Sequence, residues 1–439
     1  MHLWFVLIIY NLLFPIVFLI LLPGYLLKVF KRGNYKSSFG ERLGFFSLDK
    51  ENKLSKLEKP IWIHAVSVGE VNIAKKFINS LKILHPDRSI VLSTTTPTGY
   101  SIASSSNADL IFYQPLDFFF IVKRVFKLID PCSLVLTEAE IWPNLVNKAY
   151  QNGVDVSLIN ARLSNKSSRR FKRCGFFTSP ILKLLRRICI QEESDKKLWE
   201  NLGFSTDKIF FTGSIKFDRD NINPPNEISE FRNLLDGLFE GQQRSILLAG
   251  STHPGEELMI GKKFKKLKNL FPDLFYVVVP RHVERCKFLY EEFSKEGLNA
   301  GLRSQLDHER SHLKDNNTID CLIVDTTGEL NAWYHLSDIV VIGKSFLSHG
   351  GQNPVEPIFA GKPVIVGPHM ENFTALVSLL KKNKGIKQID DSEMLSQSIS
   401  EMLYKPEIAD KMVINANEAL SCHQGASGRT AKLIMPRTS

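Results

Sequence analysis

Short apolar runs alternate with longer amphipathic stretches along most of the chain. In the stretch after the apolar run at 61–64, apolar residues recur at the spacing of one helix face. These residues are Ile73, Phe77, Ile78, Leu81 and Leu84. The apolar runs themselves have the length of strands. In the first half they predict strands at 61–64, 90–93, 134–136, 156–159, 187–190 and 209–212.

The same alternation resumes in the second half, with strands predicted at 246–249, 275–279, 321–324, 339–342 and 363–366. Pro224-Pro225 in the stretch 221–228 predicts a linker between the halves. Strands that alternate with helices form parallel sheets with right-handed crossovers. A chain of 439 residues is also too long for one ordinary core. The sequence therefore predicts two α/β domains, 31–222 and 223–439, after an N-terminal segment 1–30.

An apolar segment without charged residues extends from Leu3 to Leu27. Its 25 residues are enough to cross a hydrocarbon core of about 30 Å. The basic residues that follow it are Lys28, Lys31, Arg32 and Lys36. A cleavable signal peptide has its basic residues first, and basic residues after the segment keep the rest of the chain in the cytoplasm. The sequence predicts a membrane anchor, while Pro15 and Pro23 leave a spanning and an interfacial helix both open.

The net charge of +10 indicates an anionic partner but does not choose among nucleic acid, a phosphorylated substrate and acidic lipid. A basic cluster interleaved with phenylalanine suits either a solvated face or a surface that touches headgroups and acyl chains. Its members are Arg162, Lys166, Arg169, Arg170, Phe171, Lys172, Arg173, Phe176, Phe177, Lys183, Arg186 and Arg187. The sequence contains no recognised RNA-binding module, so we expect no nucleic-acid partner.

The six cysteines are scattered and form no Cys-x-x-Cys pair. Their spacing matches neither a zinc site nor a disulfide framework, and reduced thiols in the cytoplasm follow. The dinucleotide fingerprint GxGxxG and the P-loop lysine motif are also absent from the sequence. We therefore expect no metal and no cofactor. The sequence also argues against redox chemistry and ATP hydrolysis.

Four predicted strand ends place a capping residue three positions before a glutamate. They are Ser67-Val-Gly-Glu70, Thr137-Glu-Ala-Glu140, Thr326-Thr-Gly-Glu329 and Asn353-Pro-Val-Glu356. As capping boxes, these glutamates would only satisfy the backbone donors of their own helices. However, ligands of doubly wound sheets bind beyond the carboxyl ends of the strands, and a glycine such as Gly69 or Gly328 lets a ligand approach the backbone. Both interpretations stay open for each turn.

Other strand ends carry further candidates. Gly250-Ser-Thr-His253 is a strand-to-helix turn suited to a phosphate. Arg281 can bind a phosphate through two hydrogen bonds, with a surface salt bridge as the alternative, and Lys216 holds a similar position. The weaker candidates, more often structural, are Asp117, His253 and His349.

Short segments in a fixed order carry the most specific signal. They are Gly40-Glu-Arg-Leu-Gly44, His64-Ala-Val-Ser-Val-Gly-Glu70, Ser93-Thr-Thr-Thr-Pro-Thr-Gly99, Glu138-Ala-Glu-Ile-Trp-Pro-Asn144, Asn160-Ala-Arg-Leu-Ser164, Gly213-Ser-Ile-Lys-Phe-Asp218, Val279-Pro-Arg-His282, 325–330 and Gly350-Gly-Gln-Asn-Pro-Val-Glu356. In this order they resemble the Kdo transferases, which attach 3-deoxy-D-manno-octulosonic acid (Kdo) to the lipid A precursor of Gram-negative lipopolysaccharide. Each segment alone is weak, but together they are specific.

The resemblance implies two Rossmann-like domains facing across a cleft, a GT-B-type glycosyltransferase with an N-terminal membrane anchor helix at 1–30. Domain 31–222 would bind the acceptor and domain 223–439 the nucleotide-sugar donor. It implies inverting transfer of Kdo from CMP-Kdo to a sugar hydroxyl of the lipid A precursor, lipid IVA. Glu70 matches the general base, and Glu138 and Lys216 match positions that stabilise the transition state. The residues that match the CMP-binding segments are Pro280, Arg281, Thr327, Gly328, Glu329, Asn353, Pro354, Val355 and Glu356.

The implied location is the cytoplasmic face of the bacterial inner membrane, contacted by residues 3–27 and the basic surface. Departures from the usual family pattern are Ala65, Ala139 and Gln352, and Gln352 puts in doubt a role for an imidazole at its position. Two alternatives stay open: a GT-B transferase that uses another nucleotide sugar, and a membrane-bound binding protein without turnover. The acidic and basic candidates that remain in place argue against the second.

Overall fold

The computed structural model describes residues 2–32, 36–162, 171, 173–218, 225–306 and 319–434. The chain divides into two compact units: unit 1 comprises Met1–Asp220 with His423–Ser439, and unit 2 comprises Asn221–Cys422. Several predicted features lie outside the described residues. They are Lys166, Arg169, Arg170 and Lys172 of the basic cluster, Leu163 and Ser164 of one family segment, and positions 221–224 of the linker.

Among its described residues, unit 1 contains a sheet of seven parallel strands. The strands are β1 (Ile61–Ala65), β2 (Ile90–Thr94), β3 (Leu110–Tyr113), β4 (Ser133–Thr137), β5 (Asp155–Ala161), β6 (Arg187–Ile190) and β7 (Ile209–Phe211). They are arranged in the order β3-β2-β1-β4-β5-β6-β7. The order changes direction between β1 and β4, so the carboxyl ends of these two strands form the switch point where ligands of such sheets bind.

Among the described residues of 1–220, three helices precede β1, and the others lie between the strands. They are α1 (His2–Arg32), α2 (Lys36–Arg42), α3 (Leu48–Leu54), α4 (Val68–Leu84), α5 (Pro97–Ala103), α6 (Phe119–Ile129), α7 (Pro143–Gln151), α8 (Gly175–Leu182) and α9 (Lys196–Glu200). Strand β1 is buried along its whole length because apolar layers cover both faces of the sheet. Trp62 packs into one layer, whereas Ile63 packs into the other with Phe77 of α4. Four residues of the predicted apolar face of α4 thus lie in the core, whereas Leu84 at the end of the helix is exposed.

Unit 2 has the same parallel design. Its strands are β8 (Ser245–Thr252), β9 (Leu274–Pro280), β10 (Ala300–Leu302), β11 (Cys321–Ile323), β12 (Ile339–Ile342), β13 (Val364–Val366) and β14 (Lys387–Gln388). Its helices are α10 (Glu227–Leu238), α11 (Glu256–Lys268), α12 (Cys286–Lys295), α13 (Arg303–Leu306), α14 (Leu330–Leu336), α15 (Val355–Phe359), α16 (Thr374–Lys382), α17 (Met394–Tyr404) and α18 (Pro406–Ser421). The strand order is β10-β11-β9-β8-β12-β13-β14.

The C-terminal helix α19 (Ala426–Ile434) returns to unit 1 and corrects the predicted extent of the second domain, 223–439. Ala426 and Ile434 pack into the core layer that α4 also covers. Ahead of this helix, the Asp218 carboxylate accepts hydrogen bonds from the backbone N–H groups of Gly425 at 2.6 Å and Ser427 at 2.7 Å. Apolar burial and these charge-assisted hydrogen bonds both fix the segment to unit 1.

Helix α1 combines an apolar surface with specific polar contacts to unit 1. Its segment His2–Ile20 has the length and apolar composition of a membrane span. One side nevertheless packs on unit 1: Val6 is 4% exposed, and the Tyr10 hydroxyl donates a hydrogen bond of 2.9 Å to Oδ2 of Asp117. The exposed apolar side chains of α1 include Trp4, Phe5, Leu12, Leu13, Ile16, Val17, Leu19 and Ile20.

Candidate functional site

The turn Ser67-Val-Gly-Glu70 joins the end of β1 to the start of α4, and Ser67 is the N-cap of that helix. The Ser67 hydroxyl oxygen accepts a hydrogen bond from the Glu70 N–H, at 3.4 Å, and donates one to Oε1 of Glu70, at 3.0 Å. Oε2 of Glu70 accepts a hydrogen bond from the Val66 N–H, at 3.0 Å. The predicted capping function of Ser67 is therefore confirmed, whereas the Glu70 carboxylate bonds to the N–H of Val66, one residue before the N-cap. Whether Glu70 does more stays open.

A second strand also reaches the Glu70 carboxylate. The hydroxyl of Thr137, the last residue of β4, donates a hydrogen bond of 2.8 Å to Oε2 of Glu70. Because β1 and β4 are the neighbouring strands of the switch point, this bond fixes Glu70 where a ligand is expected. Glu70 is only 7% exposed, so its orientation is set by these hydrogen bonds and by packing.

Glu138, the residue after β4, has left-handed backbone geometry with φ of 54°. A non-glycine residue pays about 1 kcal/mol or more for this conformation. The Glu138 N–H donates a hydrogen bond to the carbonyl oxygen of Ile159 in β5, which continues the sheet by one residue. Strained backbone concentrates at functional sites, so the conformation supports a role for this turn beyond connecting two elements.

Three carboxylates and two basic side chains influence one another here. Burial raises the pKa of Glu138, and the Glu70 carboxylate raises it further, while Lys216 and Arg162 lower it. Burial likewise raises the pKa of Glu140, with contributions from Glu70 and Glu138. Burial lowers the pKa of Lys216, partly offset by Glu138. Perturbed carboxyl and ammonium groups in one place are typical of acid–base and charge-stabilising chemistry.

In unit 2, the residues that match the CMP-binding segments follow three strands near the middle of its sheet, β9, β11 and β12. Pro280 is the buried last residue of β9, and the N–H of the exposed Arg281 donates to the Thr252 carbonyl at the end of β8. Thr327 and Gly328, exposed in the turn after β11, lead to Glu329. Parallel strands bring these turns to one edge of the sheet.

Two glutamates at this edge have defined partners. Oε2 of Glu329 accepts a hydrogen bond from the Trp333 indole N–H, at 3.2 Å, and lies 3.4 Å from Nε of Arg303. Asn353 accepts a hydrogen bond from the Val355 N–H and donates one to Oε1 of Glu356, both at 3.1 Å. Pro354 and Val355 form the start of α15, and Glu356 remains exposed. The edge therefore presents carboxylates on both sides of the β9 turn.

The sequence matches the family model of 3-Deoxy-D-manno-octulosonic-acid transferase (kdotransferase) over residues 37–219. It is 31% identical over 409 residues to the 3-deoxy-D-manno-octulosonic acid transferase of Haemophilus influenzae, covering 92% of each chain. The chain belongs to the Kdo transferase family. The enzyme of the same name from Chlamydophila psittaci is also 31% identical, over 84% of this chain and 83% of that one. As a member of this family, the protein is a glycosyltransferase.

Solved structures show that this Kdo transferase chain has the GT-B fold. A glycosyltransferase from Rickettsia africae superposes with a TM-score of 0.51 at 14% identity, over 87% of this chain and all of that one. UDP-GlcNAc 2-epimerase from Neisseria meningitidis superposes with a TM-score of 0.53 at 14% identity, over 85% of this chain and 98% of the other. At this level of identity, the likeness shows the architecture alone.

The other predicted capping boxes of this Kdo transferase differ from the one at Ser67. Thr137 and Glu140 do not begin a helix, because α7 starts only at Pro143 with Trp142 as its N-cap. The single O–H of Thr137 is instead shared between Oε2 of Glu70, at 2.8 Å, and the carbonyl oxygen of His64, at 3.0 Å. Glu329 is itself the N-cap of α14. Glu140 and Glu329 therefore do not cap their helices as the local pattern predicts, and the Glu329 carboxylate contacts Trp333 and Arg303 instead.

One residue that the sequence analysis missed, Glu256, organises the same edge of unit 2. Its fully buried carboxylate accepts backbone hydrogen bonds from His253 at 3.0 Å, Lys344 at 2.6 Å, and both Ser345 and Phe346 at 3.0 Å. The turn before α11, predicted to suit a phosphate, thus has its own carboxylate as ligand. The sequence feature that could have identified Glu256 is its position three residues after His253, which is the spacing found in the four recognised turns.

Asp117 is a structural residue in this fold. Only 1% exposed, it accepts hydrogen bonds from Tyr10 of α1 and from the N–H groups of Asn144 and Leu145 at the start of α7. Burial outweighs these bonds and raises the pKa of Asp117 to about 7. The amides of Asn144 and Asn11 also exchange hydrogen bonds of 2.9 and 3.0 Å. These contacts join α1 to the segment that follows Glu138 and Glu140.

Proposed function

We propose that this enzyme transfers Kdo from CMP-Kdo to a sugar hydroxyl of the lipid A precursor, with inversion at the anomeric carbon. The observation that carries the proposal is the Glu70 carboxylate, held at the switch point of unit 1 in a chain that belongs to the Kdo transferase family along 92% of its length. The reaction needs a base for a weakly acidic alcohol and stabilisation of a leaving phosphate. The two units supply residues suited to each task.

Glu70 is the proposed general base, and the structure favours one of its oxygens. Among the described residues, Oε2 accepts two hydrogen bonds, from Val66 and Thr137, whereas Oε1 accepts one, from Ser67. Each carboxylate oxygen has two lone pairs. Oε1 therefore retains a lone pair that can take the acceptor's proton, while Oε2 holds the carboxylate in place. Capping and base catalysis are compatible in this arrangement.

Glu138 and Lys216 are proposed to stabilise charge that develops during transfer. Burial shifts the pKa of Glu138 up and that of Lys216 down, and the attraction between the two groups offsets part of both shifts, so each favours the charged form of the other. In unit 2, Arg281 is the proposed ligand of the donor phosphate. Glu356 and Glu329 can accept hydrogen bonds from ribose hydroxyls. The positive charge of Arg281 suits a reaction in which a phosphate leaves as an anion.

We further propose that α1 lies in the interface of the inner membrane, at its cytoplasmic face, rather than across the bilayer. The first turns of α1 pack on unit 1, where Tyr10 and Asn11 bond with Asp117 and Asn144. A spanning helix would have to break these buried contacts. The opposite side, with Trp4 among its exposed residues, has the apolar surface of an interfacial helix. The basic residues after it suit acidic headgroups.

An apolar cavity of about 340 Å³ beside this helix supports a lipid acceptor. Its lining includes Val6, Ile9, Leu13, Ile141, Phe177 and Ile181, from α1, α8 and the segment before α7. The volume is that of a small ligand site. Because Ile141 stands three residues after Glu138, an acyl chain in the cavity would belong to a lipid whose sugar is near the proposed catalytic residues.

The direct test is incubation of the folded enzyme with CMP-Kdo and tetra-acylated lipid A precursor, followed by mass spectrometry of the lipid. A mass gain of one or more Kdo residues is expected. UDP-sugars supplied in place of CMP-Kdo should give no gain. A folded enzyme that leaves the lipid unchanged with CMP-Kdo, or that uses a UDP-sugar instead, would contradict the proposal.

A further inference from the structure

Two histidines and a glutamate converge on one point of unit 2. His349 lies in the loop after β12, and His369 and Glu371 lie in the loop after the neighbouring strand β13. Nδ1 of His349 is 3.0 Å, and Nδ1 of His369 is 3.3 Å, from the same oxygen of Glu371, Oε1. One donor atom from each side chain lies within 4.8 Å of the other two. The cluster combines side chains about twenty residues apart in sequence, so no local motif announces it.

The two separations from Oε1 of Glu371, 3.0 and 3.3 Å, match those between neighbouring ligand atoms of a bound transition-metal ion. Zinc binds imidazole nitrogen and carboxylate oxygen at about 2.0–2.1 Å, so the ligand atoms of a tetrahedral site lie about 3.3 Å apart. An ion bound to these three atoms would take the place of the protons that the imidazoles share with the carboxylate.

Backbone hydrogen bonds hold the two loops together before any ion arrives. Oε2 of Glu371 accepts a hydrogen bond from the Gly350 N–H at 2.6 Å, which orients the carboxylate. The N–H of Asn372 donates to the carbonyl oxygen of the same glycine, at 3.1 Å, and the N–H of His369 donates to that of Ser345, at 3.0 Å. Outer hydrogen bonds of this kind orient metal ligands and strengthen binding.

We propose that His349, His369 and Glu371 bind one divalent transition-metal ion of the zinc type, with water as the fourth ligand. Two imidazoles and one carboxylate favour zinc, cobalt or nickel over magnesium, which prefers oxygen ligands alone. The side chains are 79%, 31% and 53% exposed, respectively, which leaves solvent access for the fourth position. The ion would tie the β12 and β13 loops together beside Gly350. The inference does not rest on the proposed reaction, although the proposed donor-binding residue Asn353 lies in the same loop after β12.

Cobalt is the probe of choice, because its visible absorption reports tetrahedral coordination and a near-ultraviolet charge-transfer band would reveal thiolate ligands. The full-length protein, free of any affinity tag, is titrated with CoCl₂. One equivalent should bind without the thiolate band, although the described residues include six free cysteines. ZnSO₄ should displace the cobalt, and MgCl₂ should not.

Substitutions assign the site. H349A and H369A should each weaken cobalt binding by about 100-fold or more, since loss of an outer hydrogen bond alone costs 10–100-fold. E371Q should also weaken cobalt binding. H282A, which removes another exposed histidine of unit 2, is the matched control and should bind like the native protein. Circular dichroism confirms that each variant is folded. Absence of saturable one-equivalent binding, or unchanged affinity in the two histidine variants, would overturn the proposal.

Discussion

The hydroxyl of Thr137 donates a 2.8 Å hydrogen bond to Oε2 of Glu70, so the end of β4 positions a side chain from the first turn of α4. We expect Glu70→Gln to lower kcat by about 10²–10⁴-fold, because a carboxamide cannot act as the base. The KM for CMP-Kdo should change little, since the donor residues lie in unit 2. Initial rates with the lipid acceptor, over a range of CMP-Kdo concentrations, measure both.

Ser67→Ala separates capping from catalysis. It removes the N-cap hydroxyl but keeps the Glu70 carboxylate, so it should lower the free energy of unfolding by about 1 kcal/mol. Its effect on kcat should be far smaller than that of Glu70→Gln. If both variants lost activity in proportion to their loss of stability, Glu70 would be a helix cap only. Urea unfolding and kinetics on the same preparations decide the matter.

The raised pKa of Glu138 predicts a dependence of stability on pH. A carboxyl group with a folded-state pKa above its ordinary value of 4.5 binds its proton more tightly when folded. Its contribution to stability is therefore full below pH 4.5 and is lost as the pH rises through the folded-state pKa. Glu138→Gln has no ionisable group at this position and so does not lose stability in this way. The Tm of the variant minus the Tm of the native protein should therefore increase as the pH rises from 4 to about 8.

Thermal unfolding at several pH values checks the prediction for Glu138, with Glu58→Gln as the control. Glu58 is exposed and belongs to the same unit, so the Tm difference of its variant should stay flat over the range. A flat difference for Glu138→Gln as well would show that the buried environment of Glu138 does not disfavour its charge.

The sequence predicted a strand correctly when the strand was buried on both faces and long enough to show a continuous apolar run. The strand β12 matches its predicted bounds because a continuous apolar run encodes a strand buried on both faces. The sequence analysis missed β3, whose residues alternate between buried and half-buried, and the edge strands β10 and β14, of three and two residues. Such short strands are defined by their hydrogen-bonded neighbours rather than by their own pattern.

The candidate site shows the same limit. The contact of Glu70 with Ser67 was predictable because Ser67 is three positions away, whereas its partner Thr137 is 67 positions away. The partners of Asp218 lie more than 200 positions away, in the returning C-terminal segment. Local rules describe hydrogen bonds within one turn of chain. Contacts made by the topology become visible only when the sheet order is known.

Glu256 should be among the most important residues for the stability of unit 2. Glu256→Gln keeps the shape but turns an amide N–H₂ toward backbone N–H donors, so at least two hydrogen bonds to a charged group are lost. We expect the free energy of unfolding to fall by about 3 kcal/mol or more. Glu291→Gln, at an exposed position of α12, should stay within about 0.5 kcal/mol of native.

Urea unfolding followed by hydrogen exchange, which reports each unit separately, measures the effect of Glu256→Gln. The loss should be confined to unit 2, and the loop that contains Lys344 and Phe346 should lose protection first, because its N–H groups bond to the carboxylate. Unchanged protection in that loop would show that water replaces the lost acceptor at little cost.

The contact between Nε2 of His2 and the carbonyl oxygen of Phe176, at 2.9 Å, places the start of α1 on unit 1. An interfacial α1 therefore keeps position 2 on the cytoplasmic side, whereas a spanning α1 would carry it to the periplasm. His2→Cys, in a background where the exposed Cys174 and Cys422 are serine, should react with an impermeant maleimide in inside-out vesicles and not in intact spheroplasts. Labelling in spheroplasts would establish a spanning helix. Tyr10→Phe in the same background removes the hydrogen bond to Asp117 and should loosen the contact of α1 with unit 1. The labelling rate in inside-out vesicles should therefore rise, while spheroplasts should still show no labelling.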